Sequence, residues 1–231
     1  MRFHSVCVVG AGRVGKALAG RLADQLPTRT TGREIETGDA DLVVLCVPDG
    51  AIAEVAGAIA PGPWIAHTSG ATALAALDPH ERRFSLHPLQ TFLAERGPEQ
   101  LDGAWAAVTG ETDEAVAAAR ELADLLGLEV FELDDEDRAI YHAAAAFASS
   151  FLVTLHEVAA ELIESAGAPP DALEPLMKRT IENGFRHTGP LVRGDWETVE
   201  RHRAAIRDRR PQLLPLYEAL TEATATLLRV R

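Results

Sequence analysis

The sequence predicts an α/β protein: an N-terminal parallel sheet covered by helices, followed by an all-α C-terminal domain. Three observations predict it. Short apolar runs alternate with amphipathic stretches through the first half of the chain. The first run breaks into glycines that open a helix, and no strand pattern follows Leu133. Near-continuous apolar strands separated by helices are the mark of a parallel sheet with both faces covered.

The predicted strands are residues 5–9, 28–31, 42–47, 64–67, 84–86, 105–108 and 130–133. Helical patterns fall at residues 15–25, 50–59, 71–76 and 111–126. Pro48-Asp49 is expected to stop the third strand and to cap the helix after it. The segment between the second and third strands is short and carries no helical pattern. Beyond Leu133, Asp134-Asp135-Glu136-Asp137 puts negative charge where a helix N-terminus favours it. Helices are then expected at residues 136–165, 171–186, 195–207 and 212–228, punctuated by Gly167, Pro169-Pro170 and Gly189-Pro190. The predicted division is therefore residues 1–133 and 134–231. Ile140, Ala144, Phe147, Phe151, Leu155, Val158 and Leu162 recur in steps of three and four along the long helix, so they share one face. The helix reads as buried rather than membrane-spanning, and a homodimer core is a natural use of that face.

The glycine run decides the first functional expectation. Val6-Cys7-Val8-Val9 leads directly into Gly10-Ala11-Gly12-Arg13-Val14-Gly15. Gly10 can make the tight turn off the strand, Gly12 lets a pyrophosphate reach the backbone, and Gly15 lets the helix sit close to the sheet. Helix-terminal amides and the helix dipole then favour an anion. This is the strand–turn–helix of a Rossmann-type dinucleotide site. An NAD site places Asp or Glu at the end of the second strand. Here that end reads Thr30-Thr31-Gly32-Arg33, and Arg33 is placed to meet a 2′-phosphate. NADP is favoured over NAD. The competing reading makes Arg33 an exposed loop charge and gives the ribose to Glu34 or Glu36. Val47 and Pro48 end the third strand and join Arg13, Val14 and Thr31 in the expected cofactor site.

Composition narrows the partners. The 231 residues carry a net charge of −13, which argues against a nucleic-acid surface or an anionic membrane. Cys7 and Cys46 read as small apolar core residues of a reducing, cytoplasmic protein, and neither has metal-ligand spacing. No signal-peptide pattern precedes the first strand.

Chemistry-bearing residues cluster in four places. Two loops, His67-Thr68-Ser69-Gly70 and His87-Pro88-Leu89-Gln90-Thr91, are expected beyond strand ends, where open α/β sheets bind ligands. Ser69 and His87 can donate hydrogen bonds there, to a substrate carbonyl or a cofactor amide. His142, Ser149 and His156 are seven apart and fall nearly in line on the long helix. They read either as a row facing a cleft or as a solvated helix edge. The run from His187 to Asp195 is a polar connection in which Asp195 can cap the next helix. Arg193 there can clamp a carboxylate with its planar fork, or serve only the loop.

The strings GAGRVG, VPDGAI, HTSG, SLHPLQTF, YHAAAAFASS and TGPLVRGD, in this order and spacing, resemble a family of Rossmann-like proteins carrying the domain of unknown function numbered 2520. The family is similar in layout to ketopantoate reductases, pyrroline-carboxylate reductases, 3-hydroxyacid dehydrogenases and prephenate dehydrogenases. The resemblance implies an N-terminal NADP domain and a helical domain that often dimerises. Ketopantoate reductases and 3-hydroxyacid dehydrogenases place a catalytic lysine near the start of the long helix; here His142 stands in a comparable place. Ser150 stands where the family often has Asn. The expectation is an NADPH-dependent reductase of a small oxo acid, ketopantoate preferred, or of a related imine. His142 would supply the proton, a task suited to imidazole. Arg193 would hold the substrate carboxylate, and Asn183 and Ser69 would position the oxygen. Two alternatives stay open: a non-catalytic NADP-binding sensor or partner subunit, and a prephenate-type dehydrogenase.

Overall fold

A computed structural model describes residues 2–230. The chain divides into two compact units, Met1–Ser149 and Ser150–Arg231.

The first unit is built on a seven-stranded sheet of order β2-β1-β3-β4-β5-β6-β7. The strands are β1 (Val6–Val9), β2 (Thr28–Thr31), β3 (Leu42–Leu45), β4 (Trp64–His67), β5 (Arg83–Leu89), β6 (Trp105–Thr109) and β7 (Glu129–Glu132). All pairings are parallel except β5 with β6. The exception follows from the connection: between β5 and β6 there is only a 3-10 turn, Pro98–Leu101, and no crossover helix to carry the chain back. The strand order reverses between β1 and β3, the switch point at which open α/β sheets hold ligands.

Alternation along β1 explains the layering. Val6 and Val8 face α1 (Arg13–Ala23) and α3 (Asp113–Leu126), where Leu18, Leu22, Leu122 and Leu126 are buried with Phe84 and Leu86. Cys7 and Val9 face α2 (Ile52–Gly57) and the 3-10 turn Leu74–Leu77, where Ile52, Ala56, Leu74 and Leu77 are buried with Val43, Leu45 and Ile65. Fully burying one such leucine stabilises the fold by roughly 1.5–3 kcal/mol.

Several boundaries differ from expectation for identifiable reasons. β5 runs on through His87 and Pro88 to Leu89, because β6 pairs with it residue for residue from Ser85 to Leu89. Asp49 makes no capping bond: a 3-10 turn, Asp49–Ala51, leads into a shorter α2, with no side-chain cap at either start. The helix expected at residues 71–76 is the later 3-10 turn Leu74–Leu77, because the Ser69 hydroxyl first accepts from the Ala71 and Thr72 amides and holds a turn. The segment between β2 and β3 is a loop without a helix, as its sequence predicts.

The first unit continues past residue 134, where composition places the boundary. α4 (Arg138–Ala148) belongs to it, anchored by a buried Arg138. The long helix is not continuous. α4 stops at Ala148, Ser149 leaves helical geometry (φ −124°, ψ −82°), and α5 (Ser150–Ser165) begins. The Ser149 hydroxyl donates to the Ala145 carbonyl at 2.7 Å, a back-bond that competes with regular helix. His142, Ser149 and His156 therefore do not share one unbroken helix. Nor is the stripe buried. Ile140 is 71% exposed, and no α5 residue is fully buried. By length and composition, the run Asp135–Ser165 is also long and apolar enough to cross a membrane.

Among its described residues the second unit holds helices and no strands: α5, α6 (Glu174–Glu182), α7 (Trp196–Arg209) and α8 (Leu214–Val230), joined by turns. α6 ends where Gly184 and Phe185 turn left-handed, at φ 68° and 57°. Asp195 caps α7 as its sequence predicts, accepting from the Thr198 amide at 3.1 Å. Arg210 and Gln212 both reach Glu161 at 2.9 Å, tying the end of α7 to α5.

Candidate functional site

The first half of the site is the turn after β1. Gly10 has φ +112°, and a Cβ there would stand 2.3 Å from the Cys46 carbonyl oxygen. A Cβ on Gly15 would stand 1.9 Å from the Gly10 carbonyl oxygen. Helix α1 is thus pressed onto its own turn, and neither position accepts a side chain. Gly12 is the opposite case: a Cβ there meets nothing within 4 Å. It is also the N-cap of α1, with no side chain closing the helix end. α3 shows the contrast, since Thr112 accepts from Ala115 N and closes that N-terminus. An uncapped helix start beside a bare, open glycine, at the switch point between β1 and β3, fits a diphosphate. Arg13 is exposed there and Val14 half-buried. Val47, half-buried, and Pro48, exposed, follow the end of β3. At the end of β2, Thr30, Thr31, Gly32 and Arg33 line an open concavity that Glu34 and Glu36 also border. Arg33 is exposed.

The second half is a cluster at the ends of β4 and β5. His67 is the last residue of β4 and is fully buried. Its Nδ1 accepts from the Ser69 amide at 3.3 Å. Burial, together with the Arg138 guanidinium, pushes its pKa down to about 4. His87 lies within β5, half-buried, and burial followed by the neighbouring His142 and Arg138 also takes it down to about 4. Its Nδ1 is 2.6 Å from the Tyr141 hydroxyl, whose pKa burial raises to about 12. The His87 ring meets Tyr141 and His142 edge-on, with centroids 5.5 and 6.1 Å away. Gly70 makes room for this: a Cβ there would fall 2.9 Å from His142 Cδ2 and from His87 Cε1. His142 itself is exposed.

Arg138 holds the cluster together. It is 2% exposed, pairs with Asp135 at 2.5 Å, and donates to the Ser69 carbonyl at 3.4 Å and to the Ser85 hydroxyl. Asp135 in turn accepts from the Leu74 amide at 2.8 Å. α4 therefore enters at a fixed place, and Tyr141 and His142 follow about one turn after Arg138.

Of the residues singled out from sequence, Ser69, His87 and His142 come together here. The Ser69 hydroxyl is engaged with Thr72 Oγ1 at 2.9 Å and with the two amides of its turn. Asn183 and Arg193 belong to the second unit. Asn183 is the exposed C-cap of α6. Arg193 is exposed at the end of the 3-10 turn Pro190–Arg193 and donates to the Thr188 carbonyl at 3.0 Å. That connection also borders a cavity of about 350 Å³ with Leu220 and with Tyr217, whose hydroxyl meets His202 Nδ1 at 2.9 Å. Sequence reasoning passed over Tyr141, Arg138 and Gly70. Tyr141 adjoins His142 in the chain and Gly70 closes the HTSG string; only the fold makes them partners of His87.

The sequence family described as "Domain of unknown function (DUF2520)" matches residues 104–224. The chain belongs to this family. No curated protein matches the sequence. Among solved structures, the family member is similar to a Bacteroides fragilis protein named as a candidate NADP oxidoreductase, with TM-score 0.80, 22% identity, and coverage of 96% of this chain and 98% of that one. It is similar to a Thermotoga maritima protein, with TM-score 0.76, 23% identity and coverage of 96% and 97%. It is also similar to a reductive aminase from Aspergillus terreus, with TM-score 0.66, 17% identity and coverage of 98% and 94%. At these identities the likeness establishes the fold: a Rossmann-like sheet followed by helices.

The neutral histidines make stability depend on pH. His67 has a folded pKa near 4 and an ordinary value near 6.5, so the unfolded chain takes up the proton first as pH falls. Its contribution is whole above about pH 6.5 and is lost as pH falls toward 4, at up to about 1.4 kcal/mol per pH unit. Urea unfolding between pH 7 and 5 should show a shallower pH slope in His67→Gln than in the parent. Equal slopes would contradict a neutral buried His67.

Proposed function

We propose that the chain is an NADPH-dependent reductase of a small oxo acid of the ketopantoate kind, or of a related imine. One observation carries the reading: a bare, uncapped glycine turn and a histidine–tyrosine cluster lie on the same C-terminal edge of the parallel strands β1 to β5. The Gly10–Gly15 turn, with Arg13 and Val14, would hold the diphosphate by its amides and the helix dipole. Arg33 would meet a 2′-phosphate at the end of β2, whereas the Thr31 hydroxyl expected to help it is buried on the Cys7 side and does not face the open concavity. Val47, Pro48 and His87 line strand ends along the same edge.

When bound, the nicotinamide supplies hydride to a carbonyl or imine carbon. The work of the chain is to orient that carbon and to give a proton to the oxygen or nitrogen that gains charge. His142 is the residue for the proton: its imidazole is exposed, on a turn of α4 anchored by Arg138. The engaged Ser69 hydroxyl supports the loop beneath it. That the reductive aminase sharing the fold was solved with NADPH supports the cofactor assignment. A homodimer through α5 completes the proposal, since Leu152, Val153 and Leu155 are exposed in the single chain.

Three measurements test it. NADPH consumption with a panel of small 2-oxo and 3-oxo acids and cyclic imines should show turnover, and His142→Ala should lower it by about 100-fold or more with NADPH affinity kept. NADPH binding without turnover across the panel would instead favour a non-catalytic binding protein. Arg33→Ala should cut the preference for NADPH over NADH by about tenfold or more; an unchanged preference would remove Arg33 from the site. Light-scattering mass should be twice that of the chain, and a monomer would dismiss the dimer.

A further inference from the structure

The sequence reading gave His87 a hydrogen bond to donate, but an imidazole donates from only one nitrogen when neutral. Which nitrogen holds the proton decides whether the ring offers a donor or a lone pair to a ligand. The contact with Tyr141 settles it on chemical grounds. The O···N separation is 2.6 Å, short enough to fix both partners. A phenol is a better hydrogen-bond donor than a neutral imidazole N–H, and an imidazole lone pair is a better acceptor than a phenol oxygen. Tyr141 therefore donates to Nδ1, and the ring proton sits on Nε2. The Nε2–Cε1 edge is the one that faces Gly70: a Cβ there would lie 3.0 Å from Nε2.

Resting on the reading of this cluster as a site for carbonyl chemistry, we propose that Tyr141 is a positioning residue that locks His87 as the Nε2–H tautomer, so that His87 presents an uncharged N–H donor to a carbonyl-type oxygen beside Gly70. The surroundings keep the ring uncharged. Burial, then His142 and Arg138 on α4, disfavour a cation there, and Asp49 is the acidic group opposing them. His87 is thus a fixed donor rather than an acid, and proton delivery stays with His142. An uncharged N–H accepts nothing, so a carbonyl or carboxamide oxygen suits it and a protonated imine nitrogen does not. The device favours oxo over iminium ligands at this position. The oxygen belongs either to the nicotinamide carboxamide or to the substrate carbonyl, and the two are separable.

The tautomer is read without any ligand, by long-range ¹H–¹⁵N correlation on labelled protein, with His87 assigned through His87→Gln. At pH 6 the His87 signals should show a protonated Nε2 and a hydrogen-bonded, unprotonated Nδ1. In Tyr141→Phe the Nδ1 resonance should move toward that of a lone-pair nitrogen without a donor. A protonated Nδ1 in the parent, or an unmoved Nδ1 in Tyr141→Phe, overturns the positioning role. The donor role is read from binding of NADPH and of 2′-phospho-ADP-ribose, which lacks the nicotinamide. If His87→Leu weakens NADPH by about tenfold and leaves the fragment alone, while His87→Gln restores binding, the oxygen is the carboxamide's. If neither affinity changes but the KM for an oxo acid rises about tenfold, it is the substrate's. If nothing changes, the donor role is wrong. Failure of the parent to bind either nucleotide would refute the reductase reading while the tautomer result still decides the role of Tyr141.

Discussion

The guanidinium of Arg138 is buried at the C-terminal edge of the sheet, and the candidate site is arranged around it. Its bonds reach Asp135, the Ser69 carbonyl and the Ser85 hydroxyl, and so link α4, the loop after β4 and strand β5. Asp135 extends the link to the Leu74 amide. A cation taken out of water needs this many partners, and losing one side of such a pairing leaves a buried charge uncompensated. The arrangement has two effects at once. It fixes where the first turn of α4 meets the sheet, and so places Tyr141 and His142 beside His87. It also sets a permanent positive charge near His67 and His87, which, added to their burial, keeps both rings neutral.

Sheet topology does the rest. Strands β1 to β5 are mutually parallel, so the residues that follow Val9, Leu45 and His67, and the later residues of β5, all emerge on one edge. The glycine turn and the histidine cluster need no long-range coordination to share that edge. They inherit it from strand direction. The antiparallel return of β6 adds one feature: by pairing Ala107 with His87 it draws the histidine into the sheet rather than leaving it on a loop. That backbone constraint holds the ring where the Tyr141 hydroxyl of α4 reaches it at 2.6 Å.

Legibility in the sequence follows the range of the physics. Strand positions were visible because alternation and apolar runs are local, and β2 and β4 fall where the residues predict. The roles of Gly10 and Gly15 were visible because a strand ending in spaced glycines has few other uses. β5 was read too short because a proline inside a strand argues against continuation. Pro88 is tolerated here because β4 pairs with β5 only as far as Ser85, so beyond it one side of β5 is an edge where no N–H is needed for a ladder. The pairing of Tyr141 with His87 spans 54 positions and that of Arg138 with the Ser69 carbonyl spans 69, beyond any local pattern. The break at Ser149 was missed because the apolar stripe runs straight through it. The Ser149 hydroxyl bonds back to the Ala145 carbonyl at the break, but Thr154, Thr180 and Thr221 make the same back-bond within continuous helices, so that bond alone does not end α4.

The charge of the chain sharpens the reading of the glycine turn. A protein of net charge −13 repels a polyanionic cofactor at long range, and its two lysines leave arginine to supply most of the positive charge. At physiological salt, exposed charges farther than about 8 Å are largely screened, so the remote acids weigh little once a ligand has arrived. What then decides affinity is short-range: uncapped amides at the start of α1, its dipole, and arginines at the strand ends. Gly12, bare and open, is where that short-range attraction can reach full strength, because any side chain there would stand between the amides and the anion. In an acidic chain the backbone geometry of the turn carries more of any attraction to an anion, and the close approach of Gly15 to the Gly10 carbonyl is what holds that geometry in place.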